Sequence, residues 1–466
     1  MNKLFQRTRP LFALAFLALA LFKTASAQIP AEMTRSFWTD PEFVESFMGT
    51  YAVLSGSEPK IETREAEFFK RLSDEMQKGS SAGLAMINRE IKADSSAAIY
   101  FIRGNLNFQS GNLDAAQRDY KTSLEKFKNF MRAYKNLGMI NLRKENYDQA
   151  AEYLGRALEL GDRDARTYGL LGFCQLQSGR YLSAENAYRT ALMLTPGNKD
   201  WSLGLAQSLM LMEDYRGAIS IMEPVALNSK GEAQYWLFLV NAYLKQDQPD
   251  TAAELLEFMR NAGLTDVSNL VLLGNIYTNE QDFKLALDVF EEVLFQDNEE
   301  VSPKIVLDAA NLFVRYGAFD EAENLLMQID NEFSGGALEN EQKLTLLSLN
   351  AQVAKARGNL EDSVEIFEEI LELDPTNGEA MLELARYYSG EGDYAKAYLI
   401  LDRAERINAN QAAALRLRGK LLVKEGRFKD AIEPLEQAAS LGNNDARNRQ
   451  LQDYIERVRR AAANRG

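Results

Sequence analysis

The stretch SGRYLSAENAYRTALMLTP, residues 178–196, decides the fold, because the chain repeats its rhythm. GDYAKAYLILDRAERI (392–407) and GRFKDAIEPLEQAASL (426–441) have the same order: a glycine, a ring two residues on, and an alanine five residues on. Aligned on this rhythm, Gly104, Gly138, Gly172, Ala206, Val240, Gly274, Ala310, Ala351, Ala385 and Gly419 form one column, with steps of 34 residues apart from one of 36 and one of 41. Twelve residues further on, Ala116, Ala150, Ala184, Ala218, Ala252, Ala286, Ala322, Ser363, Ala397 and Ala431 form a second.

Within a unit the spacing is helical. Tyr168, Leu171, Gly172 and Gln175, then Ala184, Tyr188 and Ala191, step by three and four, so each unit is two amphipathic helices. The break between them is marked by Gly111, Gly179, Gly317, Gly358, Gly392 and Gly426, a residue type that accepts the positive φ needed where a helix stops. A ring or leucine follows two residues later in nine units of ten, Pro249 being the exception. Helices about 8–10 Å apart leave no room for a long side chain at the crossing, which explains the two small columns. Large residues then fill the flanks: Tyr120, Leu154, Tyr188, Met222, Leu256, Phe290, Leu326, Phe367, Leu401 and Leu435.

With its 34-residue period, its small and aromatic columns and its closing prolines Pro196 and Pro375, the chain resembles the tetratricopeptide repeat family from about Ala97 to Gly442. The resemblance implies an all-α, right-handed superhelical solenoid of about ten to eleven helix-turn-helix repeats closed by a C-terminal capping helix. Departures are Val240 in a small column and Arg103, Asn350 and Arg418 where most units have leucine. The expected organisation is a degenerate repeat at 61–96, seven repeats at 97–330, a linker at 331–343, three repeats at 344–442 and a capping helix and tail at 443–466. Insertions fall around 299–302 and 331–338, and the latter, NEFSGGAL, is read as loosening the stack into a run of seven units and a run of three.

At the start of the chain Lys3, Arg7 and Arg9 precede an apolar run from Leu11 to Phe22, followed by Ala25-Ser26-Ala27. Such a run reaches only about 18 Å as a helix, against a hydrocarbon core of about 30 Å. A secretory signal over 1–27, cut after Ala27, fits better than an uncleaved anchor, and it implies a periplasmic or secreted protein without a stable membrane span. Residues 28–60 are aromatic-rich. A helix beginning at Asp40 sets Phe43, Phe47, Met48 and Tyr51 on one side, either to pack on the first repeats or to dock elsewhere.

The leader holds four of the 53 Lys and Arg and none of the 68 Asp and Glu, leaving a net charge of −19 beyond it, which disfavours nucleic acid as a partner. Residues 401–466 run the other way, at net +5. A single cysteine, Cys174, offers no internal disulfide and reads as a buried, inert thiol. The chain has no histidine, which removes His-based general bases, the common zinc motifs and the usual near-neutral pH switch. No phosphate loop, dinucleotide turn or calcium loop appears, so neither cofactor nor metal is expected, and a carboxylate-dependent hydrolase is the weakest reading.

Function is therefore sought on the surface. In the family the first helix of each pair lines a groove that commonly holds a peptide or a partner's helix. One residue after the first small column, Gln207, Asn241, Asn275, Asn311 and Gln352 give five consecutive units a carboxamide. A carboxamide offers both donor and acceptor, so it can pair with a peptide backbone whatever its side chains. A solvated face, or hydrogen bonds inside the stack, explains the column equally well. Apolar candidates beside it are Leu203, Leu237, Val271, Leu307, Met210 and Leu244, and the same face turns basic at Arg386, Arg416, Lys420 and Lys424. The expected function is a non-catalytic scaffold binding a protein or peptide, and the resemblance implies a place in a cell-envelope complex for outer-membrane assembly, export or energy transduction. A polysaccharide-binding export component, held by the basic end, is the alternative.

Overall fold

The computed structural model describes residues 63–296, 302–333, 338–441 and 446–464, together with Pro59. The leader expected at 1–27 and the helix expected from Asp40 lie outside these residues, as do most of the two insertions. Among the described residues there are twenty-three α-helices and no strand. The chain divides into two compact units between Leu264 and Thr265.

The first unit contains α1 (Ala66–Gln77), α2 (Ser80–Glu90), α3 (Ala97–Gln109), α4 (Leu113–Lys126), α5 (Met131–Arg143) and α6 (Tyr147–Glu159). It continues with α7 (Ala165–Gln177), α8 (Tyr181–Leu194), α9 (Lys199–Leu211), α10 (Tyr215–Asn228), α11 (Ala233–Lys245) and α12 (Pro249–Asn261). The second contains α13 (Val267–Glu280), α14 (Phe283–Leu294), α15 (Pro303–Tyr316), α16 (Phe319–Glu332), α17 (Asn340–Ala356) and α18 (Leu360–Leu373). It ends with α19 (Gly378–Glu391), α20 (Tyr394–Ala404), α21 (Gln411–Lys424), α22 (Phe428–Leu441) and α23 (Ala446–Asn464). Odd and even helices form antiparallel pairs, and substantial contacts run only between helices one or two apart in sequence.

The small columns sit where the pairs cross. A Cβ placed on Gly104 would lie 2.6 Å from the Tyr120 ring, on Gly138 2.7 Å from Leu154, and on Gly172 3.0 Å from the Tyr188 ring. Nine of the ten residues of the second column are alanines and the tenth is Ser363, all buried. Val240, the outsized member of the first column, is buried too, as is its flank partner Leu256.

The turns obey one geometry. Gly111, Gly179, Gly317, Gly358, Gly392 and Gly426 all have positive φ, between 72° and 86°. In the four remaining units Glu145, Glu213, Asp247 and Gln281 occupy the same column with φ of 58–69°, so a left-handed residue closes every first helix whether or not glycine supplies it. Pro249, the exception in the ring column, is the first residue of α12, where a missing N–H costs nothing.

Both ends are closed by short apolar clusters. Leu72, Met86 and Ile87 of the first pair pack on Ile99 and Leu106 of α3. At the other end Leu451, Ile455 and Val458 of α23 cover Leu435 and Ala438 of α22 and Leu422 of α21, leaving α23 a charged outer face. The looser point expected at 331–343 is not the division found: α17 packs on both α15 and α16, whereas the boundary between compact units falls at Leu264 and Thr265. No helix among the described residues is long and apolar enough to cross a membrane.

Candidate binding face

On the first helix of each pair, the residue after the small crossing residue forms one column of the repeat. In the first three full repeats that position is covered: Asn105 is 1% exposed, Met139 2% and Phe173 4%. Gln207, Asn241 and Asn275 are half-buried, and Asn311, Gln352, Arg386 and Lys420 are exposed. Accessibility along the column therefore begins at Gln207, where the unbroken run of carboxamides begins.

Asn105 shows what the covered part of the column does. Its Oδ1 accepts from the Tyr120 hydroxyl at 2.7 Å and from Asn136 Nδ2 at 3.1 Å, so this carboxamide is consumed inside the stack. Arg103 and Asn107, two residues to either side, both donate to Asp119, Arg103 Nε at 3.0 Å and Asn107 Nδ2 at 2.8 Å, with Asp119 and Asn107 both buried. The arginine that departs from the leucine column in the first full repeat thus belongs to an internal ion pair. The later carboxamides behave differently. None of Gln207, Asn241, Asn275, Asn311 and Gln352 hydrogen-bonds another described residue through its side chain.

The apolar candidates divide by burial. Leu203, Leu237, Leu244 and Val271 are half-buried and offer surface beside the carboxamides. Met210 and Leu307 are 7% and 3% exposed and belong to the core. Gln207 and Asn241, on α9 and α11, belong to the first compact unit, while Asn275, Asn311 and Gln352, on α13, α15 and α17, belong to the second.

All four basic candidates lie in the second unit, and two are already engaged. Arg386 pairs with Glu383, which also pairs with Lys355. Lys424 Nζ donates to the Ser389 carbonyl at 2.5 Å and lies 5.7 Å from the centroid of the Tyr394 ring. Arg416 keeps a buried Nε without a hydrogen-bond partner, and Lys420 is exposed.

Sequence reasoning missed a set of ties between successive repeats. The Tyr243 hydroxyl donates to Glu223 at 2.8 Å and the Tyr388 hydroxyl to Glu368 at 3.0 Å, each joining the first helix of a pair to the second helix of the pair before. Lys144 reaches back to Asp114 at 2.6 Å and Arg180 to Asp148 at 3.0 Å in the same sense. The signal was present as a tyrosine twenty residues after a glutamate, but it emerges only when neighbouring units are overlaid. Cys174 is fully buried, and burial pushes its thiol up to about 12.

Comparison with known proteins accords with this geometry. Family models of the tetratricopeptide repeat match residues 175–239 and 354–421 and, in a second version, 129–194; a PPR repeat model matches 236–264. Tetratricopeptide repeat protein 21B of Xenopus laevis is 22% identical over 284 residues, 55% of this chain and 21% of that protein. DnaJ homolog subfamily C member 3 of Gallus gallus is 20% identical over 330 residues, covering 65% and 64% respectively. The chain thus spans less than two thirds of the length of these relatives. Among solved structures, the C-terminal part of a TPR repeat-containing protein from Cytophaga hutchinsonii superposes with a TM-score of 0.41 at 21% identity, over 53% of this chain and 99% of that one. From residue 129 to 239 and again from 354 to 421, the stacked helix pairs of this chain match tetratricopeptide repeat models.

Proposed function

We propose that the protein is a non-catalytic, exported scaffold that holds a protein or peptide segment against the first helices of its repeats, within a cell-envelope complex. The observation that carries this reading is the run of carboxamides at Gln207, Asn241, Asn275, Asn311 and Gln352, accessible and without side-chain hydrogen bonds to other described residues. Unlike Asn105, they are left with donors and acceptors to offer. At about 0.5–1.5 kcal/mol net per hydrogen bond, the ladder alone gives weak binding once association entropy is counted. Leu203, Leu237, Leu244 and Val271 supply the apolar contact that the partner also needs. The leader sequence at 1–27 supports export, and a periplasmic or secreted location follows from it.

The basic end supports a polysaccharide guest less well, because Arg386 and Lys424 are already engaged and only Arg416 and Lys420 remain. The deciding experiment places a photocrosslinking residue at Asn241 in the full chain, in its native envelope. A defined protein adduct is expected, and Gln207→Ala on the same chain weakens it while the helical circular dichroism stays unchanged. Crosslinks to lipid or glycan alone, or a protein adduct indifferent to Gln207→Ala, overturn the reading.

A further inference from the structure

Arg418 departs from a column that is core in most other units. Its equivalents Leu205, Leu239, Leu273 and Leu384 are no more than 2% exposed. The arginine turns to the walls instead of filling that space: it bonds both Asp402 and Glu405 and lies 5.5 Å from the centroid of the Tyr398 ring. Between α20, α21 and α22 a cleft of about 550 Å³ is left open. Pockets that take ligands run to about 300–1,000 Å³.

The lining is built in layers. Leu415, Leu422 and Pro434 form a buried apolar floor. Above it stand four carboxylates, Asp402, Glu405, Asp430 and Glu433, against two guanidiniums, Arg418 and Arg427, a balance of −2. Arg427 Nε donates to Asp430 at 2.8 Å, and Glu433 accepts only from the exposed amide of Gln437, at 3.2 Å. Pro434 lies inside α22 and has no N–H, so the Asp430 carbonyl lacks the donor four residues on that helix geometry would provide. The acceptors at this wall thus outnumber their donors. The acids are spread around the cleft, and among the described residues no three metal-ligating side chains come together, so a metal ion is a poor match.

We propose that this cleft receives a lysine or arginine side chain of a basic peptide segment, its aliphatic stem on Leu415, Leu422 and Pro434 and its cationic head between Glu433 and the Asp430 carbonyl. Long cationic side chains favour such a division, apolar stem buried and head at polar groups. The site is separate from the carboxamide face: on α21 the residues 415, 418 and 422 lie opposite 416, 420 and 424 at helical spacing. Its failure leaves the proposed scaffold function untouched.

The test measures binding of a fluorescent peptide alternating lysine and leucine, beside its lysine-acetylated twin, to the full chain without its leader. Asp430→Asn with Glu433→Gln weakens binding about tenfold or more, and the acetylated peptide binds no better to the unaltered protein than to this variant. Glu361→Gln with Glu365→Gln removes the same two charges from exposed positions on α18 and leaves binding unchanged. Arg418→Leu separates shape from charge: it makes the cleft more negative but restores the leucine, so binding falls. Equal loss in the α18 control, or tighter binding by Arg418→Leu, overturns the proposal; if Arg418→Leu fails to fold, the Asp430 and Glu433 pair decides alone.

Discussion

A methyl group on Gly274 would stand 2.7 Å from the ring of Phe290, closer than packed carbon atoms approach. Phe290 is 1% exposed and sits on the second helix of the same pair, so the ring has nowhere to retreat. Gly274→Ala is expected to destabilise the protein by about 1–3 kcal/mol, the usual cost of overpacking a core. Phe290→Leu alone also destabilises, by leaving a cavity. Combining the two costs less than their sum, which chemical denaturation of the four proteins measures. Strict additivity would mean that the two residues do not share the crossing.

The turn column gives stabilising changes. Glu145, Glu213 and Gln281 hold φ of 61°, 62° and 69°, a region that costs an ordinary L-residue about 1–2 kcal/mol. Substituting glycine relieves this cost but widens the unfolded ensemble, for a net gain of about 0.5–1 kcal/mol each. Asp247, at 58°, gains less because aspartate tolerates the left-handed region. Thermal melting of the four single variants checks the order, and a loss at Glu145 or Glu213 would contradict it.

Alkali exposes the buried ionisable groups. Burial pushes Cys174 up from 9.0 to about 12, and burial first, then nearby carboxylates, push Tyr235 and Tyr243 up from 10.0 to about 12. In each case the folded form holds its proton more tightly. The stability these groups contribute is fully present below their unfolded values and is lost as pH rises toward 12. The melting temperature is expected to fall steeply above about pH 9. Without histidine there is no step near pH 6.5. Ellman's reagent leaves Cys174 unmodified in the native protein at pH 8 and modifies it in guanidinium. Rapid labelling of the folded protein would contradict the burial argument.

The sequence made the packing readable because the crossings tolerate so few residue types. A small residue every 34 positions, faced by Tyr188, Phe290 or Leu435, has no other common explanation. The turns were half legible: glycine marks six, while Glu145, Glu213, Asp247 and Gln281 adopt the same conformation with side chains that signal nothing. The candidate binding face was legible as a column but not as a surface. Whether an inward asparagine is free depends on what lies opposite, and Asn105 meets the Tyr120 hydroxyl where Asn241 meets none. Likewise Arg103 and Arg418 both replace a core leucine, yet one closes on Asp119 inside the stack and the other borders an open cleft. Only the partners brought by neighbouring helices separate the two.

Within each compact unit a helix leans on those one or two places along the chain, so an internal pair there meets its neighbours through much the same surfaces. Such an array can be lengthened or shortened by whole periods without inventing a new interface. The number of repeats is therefore cheap to alter over evolutionary time, whereas α23 packs its single apolar face on α21 and α22 and follows no such period.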